Sequence, residues 1–130
     1  MAKTKYLASV AITAAVLLLS FIKIKGGSEY PLFPHADKCV HAIMYFALTA
    51  AFCYDSREKM RRHRYMSYML TCIGAASVIG IITELGQEYL TDYRSGDIYD
   101  FFADAAGSIL GAATAIYIIR RNDKTVKNSR

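Results

Sequence analysis

The stretch that decides the fold runs from Tyr65 to Thr83 and reads YMSYMLTCIGAASVIGIIT, without a single charged residue. Crossing the hydrocarbon core of a bilayer takes about 20 residues of apolar helix, with roughly 17–25 the usual range. A helix of a soluble bundle would instead show a polar stripe at the 3.6-residue helical period. No such stripe can be drawn on this stretch, so we expect it to span a membrane.

Three further apolar stretches accompany it along the 130-residue chain. The second stretch along the chain, at about 39–54, is short for a span unless its helix begins near Asp37. The first follows Lys3 and Lys5 but offers no small-residue cleavage site, so we interpret it as a retained span and not as a signal peptide. The predicted fold is all-α, a four-transmembrane-helix bundle that forms a single domain over residues 1–130. The predicted spans are about 6–22, 39–54, 65–84 and 98–119.

Charge sets the expected orientation of these spans. If both termini are cytoplasmic, twelve of the sixteen Lys and Arg residues fall on the cytoplasmic side, as the positive-inside rule requires. The basic segments 55–64 and 120–130 are expected to lie on anionic lipid. Contact with the lipid bilayer, the expected partner of these segments, therefore accounts for the net charge of +5. No nucleic-acid partner is expected, because no nucleic-acid-binding motif accompanies the basic residues.

Small residues recur at helical spacing in the third and fourth spans. Such residues let helix backbones approach closely in lipid, where little hydrophobic force acts between helices. The short connection at 86–97 should make these two spans antiparallel neighbours. The predicted helix-packing positions are Gly74, Ser77, Gly80, Gly107 and Gly111.

Ionisable side chains gather at one end of three spans. On the fourth span, three aspartates recur at i, i+3 and i+7, which places them on one helical face. Under the charge-derived orientation all members of the group lie at the outer membrane face. Ionisable residues are costly in a membrane and are therefore candidates for a functional site. The predicted ligand-binding residues are Asp37, Lys38, His41, Tyr45, Glu84, Gln87, Arg94, Asp97, Asp100 and Asp104.

The chemistry of these clustered ionisable residues allows several interpretations. Crowded carboxylates cannot all ionise without partners, so some stay protonated, or a cation binds, or the surplus faces water. A histidine among carboxylates suits acid–base catalysis or a divalent metal cofactor. One histidine without an H-E-x-x-H motif is an unspecific metal signal, however. The candidate catalytic residues are His41, Glu84, Asp100 and Asp104.

The same residues fall into two recognisable runs. Asp37-Lys38-x-x-His41-x-x-x-Tyr45-x-x-Leu48 resembles the first motif of the VanZ-like family of small bacterial membrane proteins. The second motif of that family is similar to Glu84-x-x-Gln87, followed by Arg94-Ser95-x-Asp97-x-x-Asp100-x-x-x-Asp104-x-x-Gly107-x-x-x-Gly111. The resemblance covers about residues 37–111. It departs from the family pattern at Asp104, where the family usually has Asn.

The resemblance implies a multi-pass protein of the bacterial plasma membrane. The founding member of the family raises resistance to the glycopeptide antibiotic teicoplanin. We therefore expect the outer group to bind or modify a lipid-linked or peptidoglycan-related ligand, and so to alter glycopeptide susceptibility. Three alternatives stay open: a membrane-embedded enzyme that uses His41, a proton-coupled transporter, and a structural protein whose polar group only stabilises the bundle. The sequence also leaves the oligomeric state open.

Overall fold

A computed structural model describes residues 5–21, 36–62, 64–90 and 98–130. All regular secondary structure in these ranges is helical, which confirms the all-α prediction. The described residues form five helices, one more than the four predicted spans, because a short helix forms in the basic segment after the second span. They are α1 (Leu7–Phe21), α2 (Ala36–Asp55), α3 (Arg57–Arg62), α4 (Tyr65–Leu90) and α5 (Ile98–Asn128).

Three helices extend past the predicted span limits. The second helix already includes Asp37, and α4 and α5 continue beyond positions 84 and 119. The polar end of α5 has a partner that supports it, since the Tyr65 hydroxyl donates to Asp123 Oδ2 at 3.0 Å and Arg61 pairs with the same carboxylate. By length and composition, α4 and α5 could each cross a membrane, and α1 is an apolar helix of 15 residues.

Helices α2 and α5 approach each other closely enough for their backbones to touch. A Cβ atom on Gly107 would overlap the backbone carbonyl of Ala42, and one on Gly111 would overlap that of Phe46. Moving from the first contact to the second advances four residues towards the C-terminus on both helices, so α2 and α5 run parallel. Absence of a side chain at two positions one turn apart is what allows the backbones to touch.

The other two long helices run opposite to this pair. At one end of the bundle, Asp55 Oδ2 accepts hydrogen bonds from Ser9, from its amide at 2.9 Å and from its hydroxyl at 2.6 Å. At the other end, the Gln87 amide donates to the Ser20 carbonyl at 2.9 Å. The polar bonds therefore hold α1 at both of its ends. We call the end with Asp55 and α3 the basic end, and the end with Gln87 the acidic end.

Apolar packing fills the space between the two ends. One buried cluster, at the basic end, comprises Cys53, Met60, Cys72, Ala112, Ala115 and Ile119. A second, nearer the acidic end, comprises Val16, Tyr45, Leu48 and Ala76.

On the surface of the basic end, the hydrogen bond and charge of Lys5 hold the pKa of Glu58 below its usual value.

The predicted packing positions differ in what surrounds them. Gly80, Gly107 and Gly111 are buried against neighbouring helices, whereas Ser77 is half-buried. Gly74 is exposed, and a Cβ there would meet no atom within 4 Å among the described residues. The structure therefore gives Gly74 no close helix contact, because it faces outwards from α4.

These differences give a stability test of the fold. Gly107→Ala should lower the thermal unfolding midpoint of the purified protein, because overpacking a close contact typically costs about 1–3 kcal/mol. Gly74→Ala is the matched control and should leave the midpoint unchanged or slightly higher, since alanine favours helix and finds open space. Equal midpoints for the two variants would contradict the parallel α2–α5 contact.

Candidate functional site

His41 on α2 lies at the centre of the ionisable residues of the acidic end, and it is 2% exposed. Its Nδ1 atom is 2.9 Å from Asp104 Oδ1 on α5 and 3.9 Å from Glu84 Oε1 on α4. Its Nε2 atom is 3.7 Å from Asp100 Oδ2, one turn earlier on α5. Both ring nitrogens therefore face carboxylates, and three helices meet around one imidazole.

Lys38 connects this centre to the exterior. Its Nζ atom is 3.3 Å from Asp100 Oδ1, and its side chain is 25% exposed against 8% for the aspartate. Exposure then falls to 1% at Asp104. The polar groups thus run inward from an accessible ammonium to a fully enclosed carboxylate. We call Lys38, His41, Glu84, Asp100 and Asp104 the His41 cluster.

A second hydrogen-bonded chain closes the inner side of the cluster. The Thr83 hydroxyl donates to the Gly80 carbonyl at 2.8 Å. Because that proton is used, the Tyr45 hydroxyl donates to Thr83 Oγ1, at 2.9 Å. A Cβ on Gly80 would lie 3.3 Å from Asp104 Oδ2 and 3.6 Å from the Tyr45 ring. Glycine at this position makes room for both groups.

Asp104 has one buried carboxylate oxygen without a hydrogen bond among the described residues. Asp104 Oδ1 has His41, but Asp104 Oδ2 has no hydrogen-bond partner among the described residues. A buried carboxylate oxygen without a partner costs free energy, typically more than a neutral group does. One ligand atom each from His41, Glu84 and Asp104 can also be chosen so that all three lie within 4.8 Å of one another.

The predicted site residues fall into three groups. Five of the ten form the His41 cluster itself. Tyr45 lies directly beneath it, while Gln87 is buried in a separate contact with α1. The first turn of α2 includes Asp37, whose side chain lies outside the described residues, as do Arg94 and Asp97 altogether.

Sequence reasoning missed two polar contacts. Thr83 lies three residues after Gly80 and four before Gln87, and this shared helical face was a usable signal. Asp55 begins the basic segment 55–64 that we expect to lie on anionic lipid, but its side chain is 6% exposed and accepts a hydrogen bond from Ser9. Nothing in its local sequence indicated a partner on the first helix.

No family model, no curated protein and no solved structure matches this chain. The chemistry of the His41 cluster and the two motif runs are therefore the grounds for a functional proposal.

The inner hydrogen-bonded chain yields a prediction. Tyr45→Phe should destabilise the protein by about 1 kcal/mol, because it removes one buried hydrogen bond and leaves the Thr83–Gly80 bond in place. Thermal unfolding in detergent measures the effect. Tyr117→Phe, which changes a tyrosine that is 66% exposed, is the control and should be neutral. A neutral Tyr45→Phe would contradict the hydrogen bond to Thr83.

Proposed function

We propose that this chain is a four-span protein of the bacterial plasma membrane, with both termini in the cytoplasm. The support is the distribution of apolar surface. In the most apolar 18-residue window of α4, 22% of the residues are buried, and in that of α5, 44%. The core helix of a soluble protein is mostly buried, so the exposed apolar faces are better matched by lipid.

The second ground is the separation of charge between the two ends. The basic end carries α3 with its Lys and Arg residues and the basic tail of α5. The acidic end carries the carboxylates of the His41 cluster. In the proposed orientation the basic end is cytoplasmic and meets anionic lipid, and the His41 cluster lies at the outer membrane face.

We infer that the His41 cluster binds or modifies a cell-envelope ligand, lipid-linked or related to peptidoglycan. The observation that carries this proposal is the convergence of ionisable side chains from α2, α4 and α5 on one buried imidazole, in a bundle whose long helices expose apolar faces. Such groups are costly inside a membrane and mark ligand or proton sites. Lys38 at the rim offers a cation to a phosphate or carboxylate of the ligand.

The resemblance of the two sequence runs to the VanZ-like motifs supports the same class of ligand. On that basis we propose that the chain reduces susceptibility to teicoplanin. A purely structural role fits less well, because a network that only stabilises a bundle is expected to satisfy its buried atoms, and Asp104 Oδ2 lacks a partner among the described residues.

A membrane-embedded enzyme is the second candidate, favoured by one distance. His41 Nδ1 and Asp104 Oδ1 are 2.9 Å apart, which is the arrangement of a general base held in place by a carboxylate. In this case a ligand is altered as well as bound. Turnover of radiolabelled lipid-linked envelope precursors by purified protein separates the two candidates.

The orientation can be tested with a pair of cysteine variants in a cysteine-free background. Ser95→Cys, between α4 and α5 in the sequence, should react with a membrane-impermeant maleimide in intact cells. Ser129→Cys, at the end of the chain after α5, should react only after permeabilisation. The reverse pattern, or labelling of both variants in intact cells, is incompatible with cytoplasmic termini and four spans.

Glycopeptide susceptibility tests the function itself. Expression in a sensitive host should raise the inhibitory concentration of teicoplanin at least twofold, and Glu84→Gln should abolish the rise. Glu58→Gln, an exposed glutamate at the basic end, is the matched control and should retain it at equal membrane levels. A rise that survives Glu84→Gln would argue against the His41 cluster as the site.

A further inference from the structure

Three ionisable side chains of the His41 cluster, those of His41, Glu84 and Asp104, lie close to the spacing of metal ligands, with one ligand atom of each within 4.8 Å of the others. Zinc binds histidine nitrogen and carboxylate oxygen at about 2.0–2.2 Å, so two ligand atoms on one tetrahedral ion lie roughly 3–3.5 Å apart. His41 Nδ1 is 2.9 Å from Asp104 Oδ1 and 3.9 Å from Glu84 Oε1. Side-chain shifts of about an ångström are enough to bring the three atoms around one ion.

The other ring nitrogen of His41 faces a carboxylate, the kind of partner that a metal-bound histidine uses, at a distance slightly longer than a hydrogen bond. A ligating imidazole almost always donates its second N–H to a carboxylate, a carbonyl or water, which fixes the ring and its tautomer. Here His41 Nε2 faces Asp100 Oδ2 at 3.7 Å, and Asp100 Oδ1 is in turn 3.3 Å from Lys38 Nζ. Asp100 is therefore a positioning residue for His41.

The net charge and the hydrogen bonding of the His41 cluster also favour a bound metal ion. Among the described residues, the His41 cluster has three carboxylates and one ammonium, which leaves two negative charges when the imidazole is neutral. A divalent cation neutralises them. Asp104, which is 1% exposed and whose carboxylate faces His41, also keeps Oδ2 without a hydrogen-bond partner among the described residues. A metal ion beside this carboxylate supplies the missing positive neighbour.

We propose that His41, Glu84 and Asp104 bind one divalent transition-metal ion, with Zn²⁺ and Mn²⁺ the fitting ions. One nitrogen and two oxygens form a mixed set; imidazole suits zinc, and carboxylates suit manganese, while magnesium prefers oxygen ligands alone. Three protein ligands leave a coordination position for water or for a ligand oxygen, as in catalytic zinc sites. The site uses the His41 cluster of the proposed function, but metal binding does not depend on the antibiotic phenotype.

Metal content of the purified full-length chain is the direct test. The protein is stripped with chelator in detergent, incubated with Zn²⁺, Mn²⁺ or Mg²⁺ separately, dialysed and analysed by mass spectrometry of the metal. We expect about one Zn²⁺ or Mn²⁺ per chain, with a raised unfolding temperature. Asp104→Asn should weaken affinity at least tenfold, and Asp100→Asn about 10- to 100-fold, the usual effect of losing the carboxylate behind a ligating histidine.

Two controls keep the test decisive. Asp55→Asn removes a buried carboxylate on α2, roughly 21 Å along the helix from His41, and should leave metal affinity unchanged. Circular dichroism and gel filtration show whether Asp104→Asn folds. If it does not, Glu84→Gln replaces it, because the Glu84 side chain is 12% exposed and therefore less enclosed than that of Asp104. Glu84→Gln should also weaken binding at least tenfold.

Several results would overturn the inference. They are absence of bound Zn²⁺ and Mn²⁺, binding of Mg²⁺ alone, and metal content that is equal in wild type and in folded Asp104→Asn or Glu84→Gln. The outcome is separable from the proposed function. A chain that changes teicoplanin susceptibility without binding metal overturns the metal site alone, and a chain that binds metal without changing susceptibility overturns the proposed function alone.

Discussion

The backbone contact between α2 and α5 is the constraint on which the acidic end depends. Gly107 and Gly111 seat against the carbonyls of Ala42 and Phe46, which fixes both the separation and the register of two parallel helices. With that register, Asp104 faces His41 one turn above the glycine contact. A slip by one residue would rotate the aspartate by about 100° around the helix axis, and the buried contact between Asp104 and His41 would be lost.

Burying the ionisable groups of the His41 cluster costs free energy. Pairing between these groups reduces that cost, and the groups are confined to one end of the bundle. Ionised groups leave water at a penalty of several kcal/mol each unless they are paired. Lys38 and Asp100 pair at the rim, and His41 and Asp104 pair inside. The apolar cluster around Leu48 then begins at Tyr45, which belongs to it. Among the described residues, buried aspartate and histidine side chains are therefore concentrated at the acidic end, and Asp55 is the exception at the basic end.

Much of this arrangement could be predicted from spacing within single helices. The aspartates of α5 share a face, so their common location with His41 followed once the helices were placed side by side. What spacing does not encode is the register between helices. The partner of Gln87 is a backbone carbonyl of α1, and that of Asp55 is Ser9; neither shows any local sequence signal. Gly74 and Gly80 likewise belong to one pattern, yet only neighbouring helices distinguish them.

The two polar contacts of α1 bear on how the protein is made. Ser9 bonds to a residue 46 positions later in the chain, and Ser20 to one 67 positions later. A ribosome therefore completes α1 long before either partner has been synthesised. In the proposed membrane setting, α1 carries two serines that find their partners only after α2 and α4 have followed. The contacts that hold α1 therefore form in two steps, at Ser9 once α2 is present and at Ser20 once α4 is present.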